Sequence, residues 1–190
     1  MTAIEGRPTF KTFADSTAED WAKIIPCLDD TQAKVADHVI GLLRSLGDDQ
    51  GGFPVDRLEH SLQTATRAER DGRDEEYIVC ALLHDIGDTL APFNHPDIAA
   101  AIVKTRVSEA NHFMVAKHGI FQGYYFWDYI GLDGSAREQF RDSPYFDYTE
   151  EFCAKYDQTA FDSDYKSEPL EHYEPLLRHF FSKAWTPNKS

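Results

Sequence analysis

The apolar residues of this chain recur at helical spacing almost throughout. The clearest run consists of Val35, Val39, Leu42, Leu43 and Leu46. Residues three or four apart lie on one face of a helix, and Gly47 directly after the run is a common stop signal. No segment alternates apolar and polar residues between turn signals, which is the pattern of a strand. We therefore expect an all-α fold with no sheet of consequence.

Capping residues, prolines and glycines set the expected helix bounds. Ser16 and Glu19 have the spacing of a capping box ahead of the first helix. Pro54 suits the first turn of a helix that Gly72 would end. After the helix that ends at Gly47, further helices are predicted over 54–71, 74–87, 95–105, 108–130, 134–141, 145–160 and 170–183.

The length of 190 residues suits a single domain, which we place over 1–190 with its core over about 35–180. The three cysteines, Cys27, Cys80 and Cys153, are odd in number and form no CxxC pair. This usage favours a reducing compartment and buried thiols. No apolar run has the length of a signal peptide's core or of a membrane span. We therefore expect a cytoplasmic protein that enters no membrane.

The charge balance restricts the partners. The chain has 19 Lys and Arg against 33 Asp and Glu, a formal net charge of −14. Such a field repels polyanions, which excludes nucleic acid and anionic membrane surfaces. It leaves a small-molecule substrate, including a small anion in a local basic pocket. No pattern in the sequence sets an oligomeric state.

A His-Asp pair at the end of an apolar helix carries the strongest chemical signal. His84 and Asp85 follow the apolar run Ala81-Leu82-Leu83. Burying both side chains is costly unless something binds them, and a divalent metal ion prefers neutral imidazole and carboxylate ligands. A helix-end histidine beside a solvated aspartate is the alternative interpretation.

Other histidines and an aspartate lie on further predicted helices. Together with the pair they are His60, His84, Asp85, His95, His118 and Asp157. Four histidines and two aspartates on five helices are enough to bind two metal ions. Asp162 and Asp164 compete for the last position, but their flanks predict a loop, whereas those of Asp157 predict a continuous helix.

In this order the six residues resemble the ligands of the HD-domain superfamily, named after its adjacent His and Asp. The resemblance implies a helical bundle around a dinuclear metal site. Its hydrolases with a single metal ion use only the residues matched by His60, His84, Asp85 and Asp157. His95 and His118 are similar to the extra pair that holds a second metal.

Within the superfamily, local segments resemble the mixed-valent diiron oxygenases. The segment 51–63 is similar to that around the first histidine of enzymes that oxidatively cleave 1-hydroxyphosphonates. The segments 117–121 and 155–157 resemble, more distantly, myo-inositol oxygenase. The resemblance implies two iron ions as Fe(II)/Fe(III), bridged by Asp85, with O2 as co-substrate. It also implies cleavage of a C–P bond to give phosphate and a carboxylate.

Several positions depart from the family pattern and define the expected substrate contacts. Gln50 and Phe53 stand where the phosphonate branch has a Tyr and a Glu that cap the iron, and Gln122 stands where it has a Lys. Lys117 or Arg57 would then bind the anionic group, and we assign catalytic roles to Lys117 and Asp85.

The expected cationic end of the substrate rests on two features. Asp88 replaces a Lys of the inositol branch and would attract a cation. The aromatic run 122–129, with Tyr125, is either core or a cage for an ammonium group. These features favour a 1-hydroxy-2-(amino or trimethylammonio)ethylphosphonate.

The same six ligands also permit a phosphohydrolase that acts on a small phosphate ester. There a metal-bound hydroxide attacks phosphorus and the second metal stabilises the leaving oxygen. Few cations near the motifs and the two oxygenase-like segments favour the oxygenase. A binding module without catalysis would be expected to have lost a ligand, and all six are present.

Overall fold

The computed structural model describes residues 6–48 and 51–182, and within these ranges every regular element is a helix. The α-helices are α1 (Ala18–Ala33), α2 (Val35–Leu46), α3 (Arg57–Arg70), α4 (Glu75–Leu83), α5 (His95–Val103), α6 (Glu109–Gln122), α7 (Phe146–Phe152) and α8 (Leu170–Ser182). Short 3-10 helices cover Phe13–Asp15, Gly123–Tyr125, Trp127–Ile130 and Ala136–Phe140. A single π-helical turn, Cys153–Asp157, continues α7. The expected all-α class is confirmed.

Side-chain caps explain where several of these helices begin. Asp56, Asp74 and Ser108 each accept a hydrogen bond from the backbone N–H three residues ahead, at the starts of α3, α4 and α6. Such a bond satisfies one of the free N–H groups in the first helical turn. Because Asp56 caps α3, that helix begins at Arg57 rather than at Pro54.

The predicted capping box of Ser16 and Glu19 is wrong by one residue. Thr17 accepts from the backbone N–H of Asp20, whose carboxylate accepts from the N–H of Thr17 at 2.9 Å. Ser16 is engaged elsewhere, since its hydroxyl donates to the carbonyl of Phe13 at 2.6 Å. The capping box therefore lies one residue later than predicted, with Thr17 as the residue before α1.

Three predicted helices are shorter or tighter than expected. The helix predicted over 108–130 ends at Gln122, because the ring of Trp127 packs on Gly123 where no side chain fits. The segment predicted over 134–141 forms a 3-10 helix rather than an α-helix. The helix predicted over 74–87 ends at Leu83, and turns then lead the chain to α5.

The core lies where α3 packs on α4, α5 on α6, and the π turn on α3. Tyr77, Leu82, Phe121 and Phe152 are among its fully buried side chains. Each such residue contributes about 2 kcal/mol or more by removal of apolar surface from water. This packing fixes the ends of α4, α5 and the π turn relative to each other, and those ends carry the functional residues.

Two of the three cysteines are buried as expected. Cys80 and Cys153 lie in the core, whereas Cys27 is exposed, against the prediction, because it lies on the solvent side of α1. Along the described part of the chain, no helix combines the length and the apolar character needed to cross a membrane.

Candidate metal centre

Six polar side chains converge where α3, α4, α5, α6 and the π turn meet. They are His60 in α3, His84 and Asp85 directly after α4, His95 at the start of α5, His118 in α6 and Asp157 at the end of the π turn. The structure thus brings together all six residues that the sequence singled out. The competing Asp162 and Asp164 lie exposed in a loop.

Gly87 makes this convergence possible. A Cβ atom at this position would lie 2.7 Å from Cβ of Ile98 and 2.8 Å from the carbonyl oxygen of His95. Only a residue without a side chain lets α5 approach the turn after α4 so closely. The first residue of α5 therefore reaches Asp85.

All four imidazole rings are oriented by the backbone. Each Nδ1 lies within hydrogen-bond distance of a carbonyl oxygen: His60 with Ala160 at 3.1 Å, His84 with Ala81 at 2.7 Å, His95 with Pro92 at 2.9 Å and His118 with Val115 at 2.8 Å. A histidine that donates from Nδ1 to a carbonyl keeps a free lone pair on Nε2. This is the tautomer and orientation that metal-ligating histidines adopt.

The Nε2 atoms then face each other in two pairs. Those of His60 and His84 are 3.1 Å apart, and those of His95 and His118 are 3.3 Å apart. Two lone pairs at such distances repel unless a proton or a cation lies between them. Oδ1 of Asp157 lies 3.3 Å from Nε2 of His60, beside the first pair.

Asp85 lies between the two pairs and presents one carboxylate oxygen to each. Its Oδ1 is 3.0 Å from Nε2 of His118 and 3.1 Å from Nε2 of His95. Its Oδ2 is 3.4 Å from Nε2 of His60 and 3.5 Å from Nε2 of His84. This geometry allows one carboxylate to bridge two cations.

The electrostatics of the cluster favour a bound cation. Burial lowers the pKa of His60, but hydrogen bonds to Asp157 and Asp85 outweigh burial and raise that pKa to about 10. Burial raises the pKa of Asp157, while hydrogen bonds from His60 and His84 hold it well below its usual value. The group therefore retains negative charge and takes up a proton when no metal supplies positive charge.

One oxygen of the cluster has no hydrogen-bond partner among the residues that the structure describes. This atom, Oδ2 of Asp157, is buried. A buried carboxylate oxygen without a partner is costly. Imidazoles with Nε2 turned toward each other, carboxylates beside them and a buried oxygen without a partner fit a site for two metal ions, one at each histidine pair.

Asp88 pairs with a cation of the protein itself. Its carboxylate is buried, forms an ion pair with Arg57, and lies 3.4 Å from Nδ1 of His95. Asp88 and Arg57 therefore neutralise each other beside the cluster. Their predicted contacts with the cationic and anionic ends of a substrate stay predictions.

Phe161 was not singled out from the sequence and forms a wall of the cluster. Its ring stacks on the ring of His60 with centroids 4.4 Å apart, and Phe53 packs on it at 5.5 Å. The contact joins residues about 100 positions apart in the chain, so no local pattern indicates it. Both rings limit the access of water to the first histidine pair.

The remaining residues predicted to contact the substrate have different surroundings. The ammonium of Lys117 lies 5.5 Å from the ring centroid of Phe140 and forms no hydrogen bond or ion pair with the cluster among the described residues. Gln122 lies one helical turn beyond His118, and its buried Oε1 has no hydrogen-bond partner within 6–48 and 51–182. Tyr125 is half-buried against the core, where burial raises the pKa of its phenol, and its role stays a prediction. Gln50 lies outside the described residues.

The aromatic run fits neither of its two interpretations well. Tyr124, Phe126 and Tyr129 are largely exposed to solvent, the last by 89%. The guanidinium carbon of Arg137 lies 3.6 Å from the ring centroid of Tyr124. Most of the run is therefore surface rather than core or cage.

A helical fold with a His-Asp pair at a helix end, facing further histidines and an aspartate, is the arrangement of HD domains. The family model of the HD domain matches residues 57–122, about a third of the chain. The match contains the five cluster residues from His60 to His118. Asp157 lies outside it.

Within that superfamily the chain resembles the oxygenase branch. It is similar to [1-hydroxy-2-(trimethylamino)ethyl]phosphonate dioxygenase (glycine-betaine-forming) of Leisingera caerulea, with 43% identity over 63 residues. The similar segment covers 33% of this chain and 32% of that protein. The relative is thus matched over about a third of its length.

Proposed function

We propose that this chain is a mixed-valent diiron oxygenase that cleaves the C–P bond of a small 1-hydroxyphosphonate. The substrate class is a 1-hydroxy-2-(amino or trimethylammonio)ethylphosphonate, and the products are phosphate and glycine or glycine betaine. The observation that carries the proposal is Asp85, with one oxygen toward each pair of histidines. The similarity to a phosphonate dioxygenase supports the choice of reaction.

In this proposal the six residues divide between two irons. His60, His84 and Asp157 would hold one iron, His95 and His118 would hold the other, and Asp85 would serve both. A bound Fe(II)/Fe(III) pair would supply chelation of the substrate hydroxyl and phosphonate together with activation of O2. Every one of these ligands is attached to a packed helix or to the turn that follows one, which fixes the ligands relative to each other.

Other residues of the chain act on the substrate or on the ligands. Phe161 and Phe53 shield the first iron from water. Gln122 offers a buried carbonyl oxygen that accepts a hydrogen bond from the substrate's hydroxyl or ammonium. Asp88 and Arg57 are positioning residues, because they reach the reaction only through His95.

The test begins with protein purified without chelator. We expect two irons per chain, a coupled mixed-valent EPR signal after partial reduction, and a change of that signal on addition of either phosphonate. Consumption of O2 should match release of phosphate one to one. His118→Gln should lose one iron and the coupled signal, while the matched variant His172→Gln, at an exposed histidine paired with Glu69, should keep both.

The same protein preparation distinguishes the oxygenase from the alternative phosphohydrolase. Manganese or magnesium in place of iron, hydrolysis of a phosphate ester, and no O2 consumption would refute the oxygenase. Two irons whose EPR signal does not change on addition of either phosphonate would support a diiron oxygenase but refute the proposed substrate class.

A further inference from the structure

A second polar cavity lies on the other side of the π turn from the metal cluster. It has a volume of about 340 Å³ and is lined by Arg67, Arg70, Asp71, Lys155, Tyr156 and Tyr165. Three of these side chains are cationic and one is anionic, in a chain whose formal net charge is −14. The residues that line the cavity are therefore more cationic than the chain as a whole, although Glu168 and Glu151 pair with two of the three cations.

Of the three cations, Arg67 has the fewest hydrogen-bond and ion-pair partners among the described residues. Its guanidinium carbon lies 3.9 Å from the ring centroid of Tyr165, so the aromatic ring holds the guanidinium in one place. Its Nε is buried and has no hydrogen-bond acceptor, and it forms no ion pair among the described residues. A buried donor on a permanent cation without an acceptor is costly.

The other two cations have acidic partners that leave donors available. Arg70 binds Glu168 at 3.2 Å and also lies over Tyr165. Lys155 binds Glu151 at 2.7 Å and lies 3.9 Å from Asp71. An ammonium has three N–H donors and a guanidinium has five, so both side chains can also bind a ligand in the cavity.

Helix electrostatics explain only part of this arrangement. Arg67 and Arg70 lie in the last turn of α3, where the helix dipole favours cations. The dipole does not explain a buried Nε without an acceptor or a fixed guanidinium stacked on Tyr165. A guanidinium that stacks on an aromatic ring keeps its terminal N–H donors in one plane, which suits an oxyanion.

We propose that this cavity binds a small anion through a phosphate group, with Arg67 as its principal ligand. The volume lies at the lower end of the range for small-molecule sites, which fits inorganic phosphate or a small phosphomonoester. Arg67 donates from its terminal N–H groups, while Arg70 and Lys155 neutralise the second charge. The proposal is independent of the oxygenase, because none of these residues belongs to the metal cluster.

The site is mechanically connected to the metal centre. Arg67 lies two turns from His60 on α3, and Tyr156 directly precedes Asp157 in the π turn. An anion that ties α3 to this turn would brace the two elements that hold His60 and Asp157.

Calorimetric titration of inorganic phosphate into the metal-loaded protein at low ionic strength tests the proposal. A second titration with glycerol phosphate separates a free-phosphate site from a phosphomonoester site. We expect saturable binding that Arg67→Gln weakens by about tenfold or more, as loss of a charged hydrogen bond predicts. Arg44→Gln, at an exposed arginine of α2 paired with Glu174, is the matched control and should leave binding unchanged.

Two further variants secure the interpretation. Asp157→Asn alters the metal centre and should leave phosphate binding in this cavity intact. Arg67→Lys keeps the charge but not the planar guanidinium and should weaken binding by severalfold, which retains a test if Arg67→Gln does not fold. Binding that survives loss of Arg67, binding that disappears with Asp157→Asn, or no binding at millimolar phosphate would each overturn the proposal.

Discussion

Asp88 connects the start of α3 to the second half of the metal cluster. Its carboxylate forms an ion pair with Arg57 and lies 3.4 Å from Nδ1 of His95. Carboxylates behind metal-bound histidines fix the ring, and their loss typically costs about 10–100-fold in metal affinity. We expect Asp88→Asn to weaken the second metal by that factor and to leave the first metal in place.

Metal content measured at limiting iron checks this expectation. Asp97→Asn, at an exposed aspartate in the first turn of α5, is the control and should bind two metals normally. Equal loss of both metals in Asp88→Asn would show that the ion pair of Asp88 with Arg57 stabilises the fold as a whole rather than the position of His95.

Gly87 gives a second prediction at the scale of a single residue. An added methyl group would meet Ile98 and the backbone of His95 at less than 3 Å. Gly87→Ala should therefore destabilise the protein by about 1–3 kcal/mol and displace His95. Gly41→Ala, in α2 with no atom within 4 Å of the new Cβ, should be neutral or stabilising by up to about 1 kcal/mol. Denaturant unfolding of both variants measures the difference, and similar stabilities would contradict it.

His60 links metal binding to pH. Its pKa is raised to about 10, so at neutral pH the metal-free cluster holds a proton that a metal must displace. Metal affinity should therefore rise by about tenfold per pH unit from pH 7 toward 9 and level off above the raised pKa. Competition against a chelator of known proton affinity measures this slope. A flat profile would show that His60 is already neutral at pH 7.

At the scale of elements, the π turn sets the position of Asp157. The backbone N–H of Gln158 binds the carbonyl of Cys153, five residues back, at 3.0 Å. This extra residue per turn is typical of functional sites in helices. The turn already contains one extra residue, so a single alanine inserted after Ala154 should rotate Asp157 by about 100° relative to α7, with loss of the first metal. Ala154→Ser keeps the residue count and should retain two metals, as metal analysis would show. Full metal content in the insertion variant would contradict the argument.

The sequence predicted this centre better than the elements that carry it. The ligands follow from the adjacency of His84 and Asp85 and from histidines on amphipathic helices, which are local signals. The bounds of α3 depend on Asp56, which competes with Pro54 as the start. The pair of Arg57 with Asp88 and the stack of Phe161 on His60 join distant parts of the chain, so only the packed fold shows them.

At the scale of the whole molecule, bound metals would join elements whose buried polar groups are not fully compensated by the protein. Two carboxylates and four imidazoles lie close together in the interior, and Oδ2 of Asp157 is buried with no hydrogen-bond partner in the part of the chain that the structure describes. Removing the partner of a buried charge costs about 3–5 kcal/mol, and a proton on His60 offsets only part of that cost. A chain of this size changes its Tm by about 2–4 °C per kcal/mol.

Chelation should therefore lower the Tm of the wild-type protein by on the order of 10 °C, and added iron should restore it. The variant Asp157→Asn removes the orphan charge and weakens the first metal, so its Tm should respond much less to chelator. Calorimetry with and without chelator measures both shifts, with metal analysis to confirm removal. An unchanged Tm in fully metal-free wild-type protein would mean that the six residues are held in place by helix packing alone.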